Sequence, residues 1–183
     1  DIIFQGDDGA GSTATYFSLD GSAATHDGSA TTALYTNWPD KSYISLGTGH
    51  DFEMHHNGVD TIIGNQTGDL KIRQFANDKD IIFDCDDGSG GVTTYFYLNG
   101  GLSSPYTIFP DGTHIGLGNS IDLAIYHDSA NSYLSQNGTG NLIIQHAVAD
   151  SDIIFRADDG SGSTTAYLTL DGSNTRIFVE QHM

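Results

Sequence analysis

One stretch of this chain occurs three times, and it constrains the fold more than any other feature. It reads DIIFQGDDGAGSTATYFSLDGS at Asp1–Ser22, DIIFDCDDGSGGVTTYFYLNGG at Asp80–Gly101 and DIIFRADDGSGSTTAYLTLDGS at Asp152–Ser173. Each copy opens on Asp-Ile-Ile-Phe, reverses at Asp-Asp-Gly-x-Gly and closes on Tyr-(Phe/Leu)-x-Leu-(Asp/Asn)-Gly. The opening is a β-branched and aromatic run. At the centre, Asp carboxylates can bond the backbone two residues on, and Gly accepts the positive φ of a tight turn. The return run alternates, with Thr15, Phe17 and Leu19 on one face, then Thr94, Phe96 and Leu98, then Ala166, Leu168 and Leu170. Period two with one apolar face is a half-buried strand. Each copy therefore reads as a β-hairpin. A lone hairpin is marginal in water, so its apolar face needs a cover.

A second element follows the hairpin twice, at Ile44–Lys79 and Ile115–Ser151, aligned throughout by one inserted residue near Gly138. Both open on Ile-x-Leu-Gly. An Asp and an alternating run follow (Phe52, Met54; Leu123, Ile125), then a His-(Asn/Asp) step at His56-Asn57 and His127-Asp128. A strand around Ile62-Ile63 or Tyr133-Leu134 and a Gly-rich turn lead to an expected last strand at Leu70 and Ile72, or Leu142 and Ile144. The order is thus hairpin (1–22), connector (23–43), second element (44–79), hairpin (80–101), connector (102–114), second element (115–151), hairpin (152–173) and tail (174–183). The hairpin recurs after 79 and then 72 residues, which is a repeat architecture. The connectors, 21 and 13 residues long, are where the copies stop matching. Divergent loops on a regular scaffold commonly carry binding function.

Gly (23 residues), Ser, Thr, Asn and Asp are abundant, and no window sustains an amphipathic helix, so the chain reads as all-β. The net charge of −18, from 24 acidic and 6 basic residues, argues against nucleic acid and against an anionic membrane surface. Many of the Asp residues sit beside Gly, which makes turn chemistry the simplest account of the charge. No span approaches the ~20 apolar residues of a membrane helix, and no signal peptide is visible. The chain starts inside a repeat, and is expected to be a piece of a longer protein. Cys85, the only cysteine, takes the slot of Gly6 and Ala157 and reads as a small buried filler.

Three kinds of chemistry compete with plainer readings. Paired carboxylates at Asp7-Asp8, Asp86-Asp87 and Asp158-Asp159 suit calcium, but neither EF-hand nor calcium β-roll spacing is present, so turn formation is the expectation. His50, His55 and His56 suggest a transition metal. Adjacent strand residues face opposite ways, however, and His56 aligns with His127, which points to a structural hydrogen bond. Glycoside cleavage needs two flanking carboxylates. Glu is limited to Glu53 and Glu180, and Glu53 has no partner that sequence identifies. No catalytic residue, metal or cofactor is assigned, and the expectation is that the chain is not an enzyme.

The run Ile125–Leu134 (IYHDSANSYL), then NGTGNLII at Asn137–Ile144, then DIIF at Asp152–Phe155, resembles repeats of tail-fibre and related virion proteins of tailed, especially marine, bacteriophages. The resemblance spans nearly the whole chain apart from the connectors and the last ten residues. The first copy, with His55-His56-Asn57-Gly58-Val59-Asp60-Thr61-Ile62, lacks the Tyr of the pattern. It implies a repetitive fibrous homotrimer in the virion, a shaft of triple β-helix or β-prism type in which sister chains cover the apolar faces. The implied partners are the chain itself, other virion proteins, and a host-surface glycan or protein. A single-chain parallel β-solenoid is the architectural alternative. A polysaccharide-degrading tailspike and a calcium-dependent bacterial β-solenoid adhesin are the functional ones. Within the connectors, Tyr35, Trp38 and Tyr106 are the aromatic candidates for receptor contact.

Overall fold

In the computed structural model, which describes residues 1–24 and 33–180, every regular element is a β-strand. The chain divides into two compact units, Asp1–Arg73 and Gln74–Met183. The first unit holds two three-stranded sheets. One is β1 (Ile2–Asp7), β2 (Thr13–Asp20) and β3 (Tyr35–Asn37), and the other β4 (Ile44–Leu46), β5 (Phe52–His56) and β6 (Thr61–Asn65). The second unit holds three. They are β7 (Ile81–Asp86), β8 (Val92–Asn99) and β9 (Tyr106–Ile108); β10 (His114–Leu117), β11 (Leu123–His127) and β12 (Ser132–Gln136); and β13 (Ile153–Asp158), β14 (Thr164–Asp171) and β15 (Arg176–Val179). Every ladder among the described residues is antiparallel and joins strands that follow one another in the chain. A parallel β-solenoid needs parallel ladders between successive coils. The described strands do not build one, which corrects that alternative.

The repeated hairpin forms as its residues dictate. Asp7 Oδ1 accepts the Gly9 N–H at 2.6 Å, and Asp8 Oδ1 accepts those of Ala10 and Ser12 at 2.8 and 2.9 Å. Gly9 and Gly11 take φ of 78° and 90°, a region closed to most side chains. The other copies repeat these bonds at Asp86-Asp87 and Asp158-Asp159. Phe4 pairs with Phe17 and Gln5 with Thr15, so Tyr16 is the extra residue of a β-bulge. The same bulge makes Tyr95 and Tyr167 extra residues. Each of these hydroxyls donates to the carbonyl at the turn entrance, Tyr16 to Asp7 at 2.8 Å, Tyr95 to Asp86 and Tyr167 to Asp158 at 3.0 Å. The opening Asp of each copy closes the far end by accepting the N–H of Gly21, Gly100 or Gly172.

Each hairpin gains a third strand. In the first two copies it lies inside the stretch read as a connector, and in the third inside the tail. Tyr35 pairs with Asp20, Tyr106 with Asn99 and Arg176 with Asp171, so the three positions are equivalent. Trp38 then stacks on Phe17, which stacks on Phe4, at 5.4 and 4.3 Å between ring centres. Phe109, Phe96 and Phe83 repeat the stack at 5.6 and 4.5 Å.

The second element makes three strands in each copy and lacks the expected last one. Leu70 and Ile72, and Leu142 and Ile144, lie outside any strand. The physical reason is a missing partner. Among the described residues no backbone–backbone hydrogen bond involves residues 69–75 or 141–147. Cys85 is exposed on β7 opposite Thr93, not buried, because nothing within the described chain covers that face.

Burial is sparse throughout. Ala124, at 3 % exposure, is the one buried hydrophobic side chain among the described residues. The registers set Ile44, Met54 and Ile63 side by side on one face, and Ile115, Ile125 and Leu134 likewise. Met54, Ile63, Ile125 and Leu134 are all exposed.

Candidate functional site

The first unit carries a cleft of about 590 Å³ between its two sheets, with the bulge residue Tyr16 on one side and β4 and β5 on the other. The Pro39–Tyr43 segment forms part of its wall and is clamped at several points. The Ser42 N–H donates to the Pro39 carbonyl at 2.9 Å, and the Lys41 N–H to the His56 carbonyl at 2.7 Å. The Ser42 hydroxyl donates to the carbonyl of Tyr16, tying the turn to the neighbouring sheet. His56 Nδ1 lies 2.8 Å from Asp40 Oδ1. His56 is thus a structural hydrogen-bonding residue, as its alignment with His127 implied; His127 Nδ1 lies 3.1 Å from Ser132 Oγ.

Strand alternation decides what faces the cleft. Ser45 pairs with Glu53 and Glu53 with Gly64, placing Tyr43, Ser45, Glu53 and His55 on one face and leaving His56 on the other. Tyr43 stacks on His55 with ring centres 3.9 Å apart. His50 sits at φ 56° in the β4–β5 turn, where Ser45 Oγ lies 2.8 Å from its Nδ1. That contact occupies one ring nitrogen and leaves Nε2 as the second polar atom of the ring. Gly64, opposite Glu53, leaves room for its arm, since a Cβ there would lie 3.2 Å from Glu53 Cγ.

The second copy of this element fills the same positions differently. Gly116 stands for Ser45, Ile121 for His50, Ala124 for Glu53 and Ser135 for Gly64, by the matching registers Gly116–Ala124–Ser135. The turn is the same: Ile121 has φ 55°, and its N–H donates to the Gly118 carbonyl as His50 does to Gly47. There Ile121 packs on Gly116, with Cγ2 3.2 Å from where a Cβ would stand, and Ala124 is buried. The scaffold therefore needs none of the polar groups at Ser45, His50 and Glu53.

The cleft has a negative balance: Asp8, Asp40 and Glu53 line it, against Lys41. The N–H groups of Ser12 and then Ala10 hold the Asp8 carboxyl below its ordinary value, so it is ionised at neutral pH. Among the described residues no three His, Cys, Asp or Glu side chains gather closely enough to hold a metal ion.

The aromatic residues singled out by sequence are placed separately. Tyr35 and Tyr106 begin β3 and β9 and are 50 % and 54 % exposed. Trp38 is half-buried in its stack and, three residues from Tyr35, lies on the opposite face. The sequence grouped His50 with His55 and His56, left Glu53 by itself, and gave no role to Ser45. The signal was there in the two aligned copies, where Ser45, His50 and Glu53 all change. It missed in the same way that Tyr-Thr-Asn-Trp-Pro-Asp at Tyr35–Asp40 matches Tyr-Thr-Ile-Phe-Pro-Asp at Tyr106–Asp111.

In comparisons with known proteins, no family model matches the chain, and neither a curated protein nor a solved structure does.

Proposed function

We infer that the chain is a segment of a phage tail fibre, a rigid homotrimeric shaft of the extracellular virion whose repeats set its length. The observation that carries this reading is the sparse burial of its sheets: among the described residues Ala124 is the one buried hydrophobic side chain, and Met54, Ile63, Ile125 and Leu134 stay exposed. Apolar area in water is unfavourable by roughly 25 cal/mol per Å², so faces such as Ile44–Met54–Ile63 favour a partner. Sister chains supply identical faces in register, and closure about an axis removes exposed strand edges. The mechanism is mechanical and adhesive. Tyr35 and Tyr106, half exposed at equivalent strand starts, are the aromatic candidates for host-surface contact. Trp38 is better suited to holding its sheet together.

The test is the solution mass by light scattering after size exclusion, with an unboiled SDS gel alongside. Three chains that resist SDS are expected. A folded species of one chain would sink the shaft reading.

A further inference from the structure

We propose that the cleft built on Ser45, His50 and Glu53 is a binding site for a neutral pyranose sugar. The inference goes beyond the shaft reading and does not depend on it. Its first support is the internal comparison. The second copy keeps the same turn, the same registers and the same left-handed residue at Ile121, yet replaces the polar set by Gly116, Ile121 and Ala124. A polar set that the scaffold does without, grouped on the wall of a cleft, has a use other than folding.

The lining selects the ligand class. About 590 Å³ is within the ~300–1,000 Å³ of small-molecule sites. An anion meets three carboxylates and a single Lys41, and is disfavoured by like charge. A bound metal lacks a set of three ligands among the described residues. A purely apolar ligand would leave the Glu53 carboxylate and His50 Nε2 unpaired as it displaced their water. Neutral ring hydroxyls suit what remains. A carboxylate accepts two hydroxyl hydrogens side by side, His50 Nε2 exchanges a further hydrogen bond, and Lys41 donates. Tyr16 and Tyr43, 53 % and 48 % exposed, offer ring faces for the C–H face of the sugar.

The experiment is saturation-transfer NMR on the whole 183-residue chain with the methyl pyranosides of glucose, galactose, mannose and N-acetylglucosamine. N-acetylneuraminic acid serves as the anionic control. At least one neutral glycoside is expected to show transfer, and the anion none. The variant carrying Ser45→Gly, His50→Ile, Glu53→Ala and Gly64→Ser installs the second copy's residues, and should keep its circular dichroism while losing about tenfold or more of the affinity. Glu53→Gln alone, which keeps the shape and removes the charge, should weaken binding by about fivefold. No transfer from any neutral glycoside, equal transfer from the anion, or unchanged binding in the fourfold variant would each overturn the site. The mass of the same sample keeps the two readings apart. A trimer without sugar binding removes only the cleft, and a sugar-binding monomer removes only the shaft.

Discussion

Ser45 Oγ lies 2.8 Å from His50 Nδ1, and at the two equivalent positions of the second copy Ile121 packs on Gly116. A hydrogen-bonded pair and an apolar pair thus occupy one turn geometry. The next pair in the ladder is exchanged as well: Glu53 opposite Gly64 becomes Ala124 opposite Ser135. The same backbone therefore supports an open polar wall in one copy and a closed apolar one in the other.

That exchange predicts asymmetric tolerance. Ala124→Glu buries a carboxylate beside Ser135 with no glycine to make room, and should destabilise the second unit by about 2–4 kcal/mol. Glu53→Ala in the first unit should change stability by less than about 0.5 kcal/mol. Urea titrations of both variants check this, and equal losses would refute it.

Acid should loosen the turns of the repeated hairpin. The Ser173 hydroxyl and the Asn174 side chain, with backbone N–H groups behind them, hold the Asp171 carboxyl down at about 2. Asp87 and Asp159 are held below the ordinary value as well, Asp87 chiefly by the Ser89 N–H and Asp159 by the Ser161 hydroxyl. A depressed folded pKa gives stability that is complete above the unfolded value of about 3.9 and is lost as pH falls through the folded value. The urea midpoint should therefore hold at pH 5 and fall between about pH 4 and pH 2. Asn99 makes the same turn with Gly101 and Leu102 without a charge. Asp171→Asn should accordingly keep its turn and lose its share of the acid sensitivity. A midpoint independent of pH over this range in the parent chain would contradict the assignment.

The aromatic stacks should be visible by fluorescence. Trp38 is the single tryptophan, and it lies on Phe17. Phe17→Ala removes the middle ring, and should shift Trp38 emission to the red while lowering stability by about 1–3 kcal/mol. Unchanged emission would mean that the stack does not form in solution.

The uncovered faces carry the oligomer prediction. Ile63→Asp and Leu134→Asp put a charge on the faces opposite the cleft wall and its counterpart, and should convert a trimer into single chains on light scattering. Val59→Asp, at an 83 % exposed turn position outside the sheets, should leave the mass unchanged. Retention of three chains in both face variants would move the subunit contact elsewhere.

The sequence by itself determined the two strands of each repeated hairpin and the turns that join them. Asp7, Asp8, Asp20 and their repeats bond N–H groups two to four residues away, so the turn is complete within the motif that names it. Alternation placed Phe17 and Leu19 on one face, and separated His55 from His56, for the same local reason. What the tertiary structure decided depends on partners far along the chain. Tyr35 pairs with Asp20, well back along the chain, and Trp38 comes onto Phe17, so a stretch that looked like a connector supplies a strand and a stacked ring. Leu70 and Ile72 have the pattern of a strand but, among the described residues, no neighbour to receive their hydrogen bonds, because a ladder is a property of two segments and a sequence pattern describes one. The cleft is of the same kind. Ser45, His50 and Glu53 were each legible, but their common wall exists only once the β4–β5 register sets Ser45 beside Glu53 and the left-handed turn residue returns His50 to Ser45.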